Sequence, residues 1–213
     1  MSNLERRFHV ASLLRELGHQ FVAHEMSDDE MDLVGDEVHT ILDRVTGNPL
    51  RHRDVSIATA EQFSLSAMKQ GPDERHRMFS DSIVSGGANP MGLGARMWRD
   101  TDTAVMEVTL RKAFEGAPGR SHGGVVAALI DETMGLVTAF HGALAFTARL
   151  NINFRAPTPI DVAITARAWL EQRHDRKLTI KAIVCAGDLV LADADALFIE
   201  VDPQEFLEEF TDS

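Results

Sequence analysis

The chain has 213 residues, of which 44% are hydrophobic and 25% charged, and a formal net charge of -12. That is an ordinary globular composition, with enough length for one domain plus an extension. The negative balance argues against nucleic-acid binding, which needs a cationic footprint, and the single cysteine, Cys185, rules out an intrachain disulfide and suits a reducing cytoplasm. Residues 1–79 carry 9 Lys/Arg against 14 Asp/Glu, residues 80–201 carry 12 against 14, and residues 202–213 carry none against 5. The acidity therefore sits mainly in the flanks, and an anionic ligand is compatible with the middle block. No uninterrupted apolar run of about 18 residues predicts a membrane span, and the opening MSNLERRFHV lacks the apolar core of a secretion signal.

In chain order, Leu4, Phe8, Ala11, Leu14, Leu17 and Phe21 recur at spacings of three and four, which predicts a helix over 3–23. Ser27-Asp28-Asp29-Glu30 reads as a capping box for a second helix, carried by Met31, Val34, Val38, Ile41, Leu42 and Val45 and stopped by Gly47-Asn48-Pro49. Residues 50–79 carry no clear period. Residues 92–99 and 103–111 read as strands around an Asp100–Asp102 turn, and 114–122 as a loop. A helix follows over 123–139, and then strands near 144–155, 160–171, 177–186 and 189–201. One helix among six strands predicts an α+β domain, an antiparallel sheet wrapped on a central helix. The domain boundaries are a helical extension over 1–79, the main domain over 80–201 and an acidic tail over 202–213.

The central helix carries the chemistry. Val126, Leu129, Ile130, Thr133, Val137 and Phe140 share one stripe that should face the sheet. Gly124, Ala127, Asp131, Gly135 and Thr138 fall on another face. Asp131 is the only charge there, while Glu132 points about 100° further round. An acid among small residues beside an apolar stripe suits a base or nucleophile, and equally a solvated helix acid. Gly123 and Gly124 open the helix, where N–H groups lack intrahelical partners and the dipole is positive. Such a terminus can hold a developing oxyanion, or can simply turn the chain. Eight residues separate Gly123 from Asp131, about 12 Å along the axis. If both act on one bond, they must come from two copies of the helix packed antiparallel across a two-fold axis.

Gly119-Arg120-Ser121-His122-Gly123 also matches the G-x-S-x-G nucleophile elbow. That elbow needs an apolar strand running into the serine, with an acid and a histidine later. Here a Gly/Pro-rich loop precedes Ser121 and the remainder reads as strand, which argues against a serine hydrolase. Gly92-Leu93-Gly94 lacks the third glycine of a dinucleotide motif. The nine histidines are dispersed without metal-ligand spacing, so no metal or other cofactor is expected. Cys185 reads as a small core residue.

Three segments are shared with a known family: Glu115-Gly116-Ala117-Pro118-Gly119-Arg120-Ser121-His122-Gly123-Gly124, Ile130-Asp131-Glu132-Thr133-Met134-Gly135, and Phe146-Thr147-Ala148-Arg149-Leu150-Asn151-Ile152-Asn153-Phe154-Arg155-Ala156-Pro157. Over residues 80–201 the chain resembles the hotdog-fold acyl-CoA thioesterases of the phenylacetate-degradation (PaaI-like) type, closest to the longer-chain members. The resemblance implies hydrolysis of a fatty or aryl acyl-CoA in a homodimer or dimer of dimers with shared sites. It implies Asp131 as catalytic carboxylate, the Gly123 N–H as carbonyl donor, Thr147 as water-orienting hydroxyl and His122 as a loop-shaping residue. Gly124, Asn153, Arg155 and Arg120 are the implied substrate contacts; Arg173, Arg176 and Lys177 are further candidates for the CoA phosphates. Gly116 departs from one branch, where a polar amide side chain adds a second contact to the carbonyl. A non-catalytic acyl-CoA-binding module, with residues 1–79 as a signalling attachment, is the alternative. A hydratase of the same fold would want a catalytic His–acid pair.

Overall fold

The structure is a computed structural model and describes residues 1–51 and 80–206; most of the stretch without periodicity, 52–79, and the tail beyond 206 lie outside the described residues. Helix α1 (Asn3–Ala23) starts on a capping box in which the Glu5 N–H donates to Ser2 Oγ and the Ser2 N–H donates to Glu5 Oε2. Helix α2 (Asp28–Thr46) starts on the Ser27/Glu30 box read from the sequence and ends at Gly47. Periodicity located both helices but overstated their burial. Ala11 and His19 are buried in α1, no residue of α2 is, and Val38, Ile41, Leu42 and Val45 remain exposed.

Strands β1 (Arg96–Asp100) and β2 (Thr103–Thr109) form the first hairpin. β1 begins four residues later than expected, because Gly94 sits at φ +72° and breaks the ladder. Residues 92–95 belong instead to a turn segment, in which the Leu93 and Ala95 N–H groups donate to the Ile83 and Val84 carbonyls. The expected loop over 114–122 contains a small ribbon, β3 (Glu115–Ala117) and β4 (Arg120–Ser121), reversing at Gly119 with φ +76°. Helix α3 (Gly123–Phe140) follows, then β5 (Ala145–Phe154), β6 (Ala163–His174), β7 (Lys177–Ala186) and β8 (Leu189–Glu200). The six long strands form one antiparallel sheet in the order β1-β2-β6-β7-β8-β5.

α3 packs against one face of this sheet, touching β2, β5, β6, β7 and β8. Its expected stripe is buried: Val126, Leu129, Ile130, Thr133 and Val137 are solvent-free, packed with Met106, Ile164, Leu178, Ile180 and Leu191 from the strands. Each large apolar side chain so buried stabilises the fold by roughly 1.5–3 kcal/mol. The Thr133 hydroxyl is accommodated because it donates to the Leu129 carbonyl at 2.6 Å. Thr138 was expected on the small-residue face; it is fully buried, donating to the Gly135 carbonyl. By length and mean hydropathy α3 could cross a bilayer, but 56% of it is buried inside the domain and it carries two adjacent acids. Cys185 is half-buried at a register shift between β7 and β8 rather than in the core.

Candidate active site

Four N–H groups at a helix start have no intrahelical acceptor, and α3 disposes of three of them. The His122 N–H donates to the Phe114 carbonyl at 2.9 Å, and the Val125 N–H turns back to the His122 carbonyl at 3.0 Å. The Gly124 N–H donates to His122 Nδ1 at 3.0 Å, so this imidazole is the N-cap. Among the described residues nothing accepts from the Gly123 N–H. The sequence expected two free donors; the structure leaves one, and Gly124 is occupied by its own cap.

Gly123 is approached closely by Phe154: a Cβ there would lie 3.4 Å from the ring. Together with Arg120, Ser121, Val126, Arg155, Ala156, Pro157 and Thr158 these residues line a cavity of about 320 Å³ at the positive end of α3. Three of the expected contacts, Gly123, Arg120 and Arg155, are thus brought together. Arg155 donates through Nε to Asp193, which Arg155 and then Asn153 hold below its ordinary carboxylate pKa. Arg120 is exposed and has no acidic partner among the described residues.

Thr147 and Asp131 meet on the same face of the domain: Thr147 Oγ1 donates to Asp131 Oδ1 at 2.8 Å. A β-bulge decides which other β5 residues join them. Thr147 pairs with Phe198 and Arg149 with Leu197, so Ala148 is the extra residue. The even spacing of 147 and 153 would place both on the helix side. The bulge reverses the parity, sending Leu150, Ile152 and Phe154 inward and Asn151 and Asn153 outward. Asn153 accordingly donates to Asp193 at 2.9 Å on the face away from α3, where the same carboxylate accepts from the cavity-lining Arg155. Arg173 and Arg176 lie elsewhere: they donate to Glu200, near the C-terminal end of α3, and Lys177 is beside them.

Gly116 has a steric explanation. A Cβ at this position would lie 2.8 Å from His122 Cα, so the capping histidine fills the place a side chain would need. Ser121 is buried, with Oγ near the Phe114 and His122 carbonyls at 3.3 and 3.4 Å and, among the described residues, no histidine partner. It ends a two-residue strand of the ribbon and not a core strand, which removes the elbow. Glu132 is the residue whose part the sequence left undefined. Its carboxylate accepts from the Ser85 N–H at 3.0 Å and from the Ser82 and Ser85 hydroxyls, anchoring the segment before β1 onto α3.

Comparison with known proteins places this arrangement. Residues 119–192 match the sequence model of the family described as the Thioesterase superfamily. Over 94 residues, 43% of this chain, the protein is 36% identical to acyl-coenzyme A thioesterase THEM4 of Bos taurus and 33% identical to acyl-coenzyme A thioesterase THEM5 of Homo sapiens. The match spans 38% of the length of each relative. A solved structure described as a thioesterase superfamily protein, RHA08564, covers 91% of this chain and 90% of its own with a TM-score of 0.75 at 20% identity. The fold is the hotdog fold expected from the three motifs.

Proposed function

Taking residues 119–192 as a thioesterase-superfamily segment, we propose that this protein hydrolyses a fatty or aryl acyl-CoA thioester to the free acid and CoA. The observation that carries the reading is the Thr147–Asp131 hydrogen bond, on the same helix whose first N–H is left without an acceptor. Thr147 occupies Oδ1 and leaves Oδ2 to take a proton from water. That water adds to the thioester carbon, the negative charge on the carbonyl oxygen is met by a Gly123 N–H, and collapse expels the CoA thiolate. One such donor typically lowers the barrier by about 3–4 kcal/mol. Asp131 could instead attack the carbon itself, giving a mixed anhydride. A single turnover in heavy-oxygen water separates the routes, since only the anhydride can leave label in the Asp131 carboxylate.

The 12 Å between Gly123 and Asp131 on one helix supports a site shared by two copies, Asp131 and Thr147 from one and Gly123 from the other. β5 favours the same arrangement: it is a ten-residue edge strand, hydrogen-bonded among the described residues only to β8, with Phe146, Thr147, Ala148 and Arg149 exposed. An edge that long ordinarily has a covering partner. Arg120, beside Gly123, is the cation best placed for a CoA phosphate.

Free-thiol release over a panel of acyl-CoA thioesters, alongside the sedimentation mass, tests the reading. Turnover of at least one chain class by an oligomer is expected. Tight acyl-CoA binding without thiol release would make the protein a binding module instead.

A further inference from the structure

The N-terminal extension is fastened to the segment that sets the start of α3. His19 of α1 is 7% exposed, and its Nδ1 accepts the Ala113 N–H at 3.2 Å. Its ring stands edge-on to Phe114, with centroids 5.1 Å apart and planes at 78°. One turn earlier, Glu16 takes a two-armed ion pair from Arg111. The Phe114 carbonyl in turn accepts the His122 N–H at 2.9 Å and lies 3.3 Å from Ser121 Oγ. His122 caps α3 and leaves the Gly123 N–H free. An unbroken series of contacts thus runs from α1 to the group assigned to the oxyanion.

We propose that His19 is a positioning residue, which holds the Phe114–His122 segment, and through it the Gly123 N–H, in register for the developing oxyanion. The inference rests on the thioesterase reading and gives the extension a part in that reaction. It requires the neutral imidazole, because a protonated ring has two donors and no acceptor for the Ala113 N–H. The charged groups around His19 are Arg15 and Glu16 on α1, Arg111 before the 3-10 turn Lys112–Phe114 and Asp161 between β5 and β6. Burial, followed by Arg111, holds the His19 pKa below its ordinary 6.5, with Glu16 and Asp161 opposing, so the neutral form persists at neutral pH. Acid should therefore release the latch.

The test compares wild type with His19→Leu, which keeps bulk but has no acceptor, and His19→Asn, whose Oδ1 takes the place of Nδ1 and does not titrate. Steady-state kinetics between pH 5 and 8 are measured with amide exchange at residues 113 and 122–124. His19→Leu should lower kcat about tenfold with KM within about twofold, less than the loss of a whole donor. His19→Asn should recover most of that kcat and lack the fall that wild type shows below pH 6.5. Protection factors at 122–124, corrected for the intrinsic pH dependence of exchange, should fall in His19→Leu, and in wild type on acidification. Unchanged kcat and exchange in a folded His19→Leu would overturn the inference, as would identical pH profiles for wild type and His19→Asn. If His19→Leu does not fold, that pH comparison decides. Absence of thiol release by wild type would defeat the thioesterase reading instead, and the exchange data would still decide whether α1 holds the start of α3.

Discussion

Thr147 Oγ1 lies 2.8 Å from Asp131 Oδ1, joining the second residue after the start of β5 to the middle of α3 across 16 residues of chain. A hydroxyl that donates to one carboxylate oxygen fixes the plane of the other. Asp131→Asn should leave the sedimentation mass unchanged and reduce kcat by about 10²–10⁴, the usual contribution of a positioned base. Thr147→Ala should leave the carboxylate in place but free to rotate, with a smaller loss of about tenfold or more. Wild-type turnover in Asp131→Asn would remove the mechanism.

Ser121→Ala separates the elbow from the hotdog site. Among the described residues the hydroxyl bonds only two carbonyls, so its removal should lower stability by about 1 kcal/mol and keep at least about a third of turnover. A nucleophile would show a loss of several orders of magnitude. Thiol release by the purified variant distinguishes the two.

Adjacent acids on α3 should behave oppositely. Asp131 faces Thr147, whereas Glu132 gathers three donors from Ser82 and Ser85. Glu132→Gln puts an N–H where acceptors are needed and should cost about 1–3 kcal/mol. That corresponds to about 2–4 °C in Tm per kcal/mol for a chain of this size, with kcat within about threefold. A Glu132→Gln protein with wild-type Tm would show that this anchor contributes nothing.

Docking of α1 should weaken on acidification in two windows. The depressed His19 pKa means that the unfolded chain takes up a proton before the folded one does. Its stabilisation is complete above about 6.5 and declines as pH falls through the lower folded value. Glu16 is held down to about 2 by hydrogen bonds from Arg111 and Gln20, so its contribution is complete above 4.5 and declines towards 2. The Glu16 pair is exposed, and salt should weaken its step more than the His19 step. Protection of α1 against proteolysis across pH 7 to 3, at low and high salt, checks both; uniform protection would refute them.

Sequence alone makes legible the helices, the six-strand α+β order and the buried stripe of α3, because each is written in a local period: 3.6 residues for a helix face, two for a strand. It also marked Asp131, Gly123 and Thr147 through motifs whose members stand close in the chain. The tertiary structure decided what depends on distant contacts or on a single extra residue. The bulge at Ala148 reverses strand parity and turns Asn153 to the face away from α3, onto Asp193. Glu132 finds its serines about fifty residues earlier, His19 finds Ala113 across 94, and the capping ring of His122 takes up the Gly124 N–H. Periodicity reports which face of an element is apolar; which polar group meets which is fixed only when the elements pack.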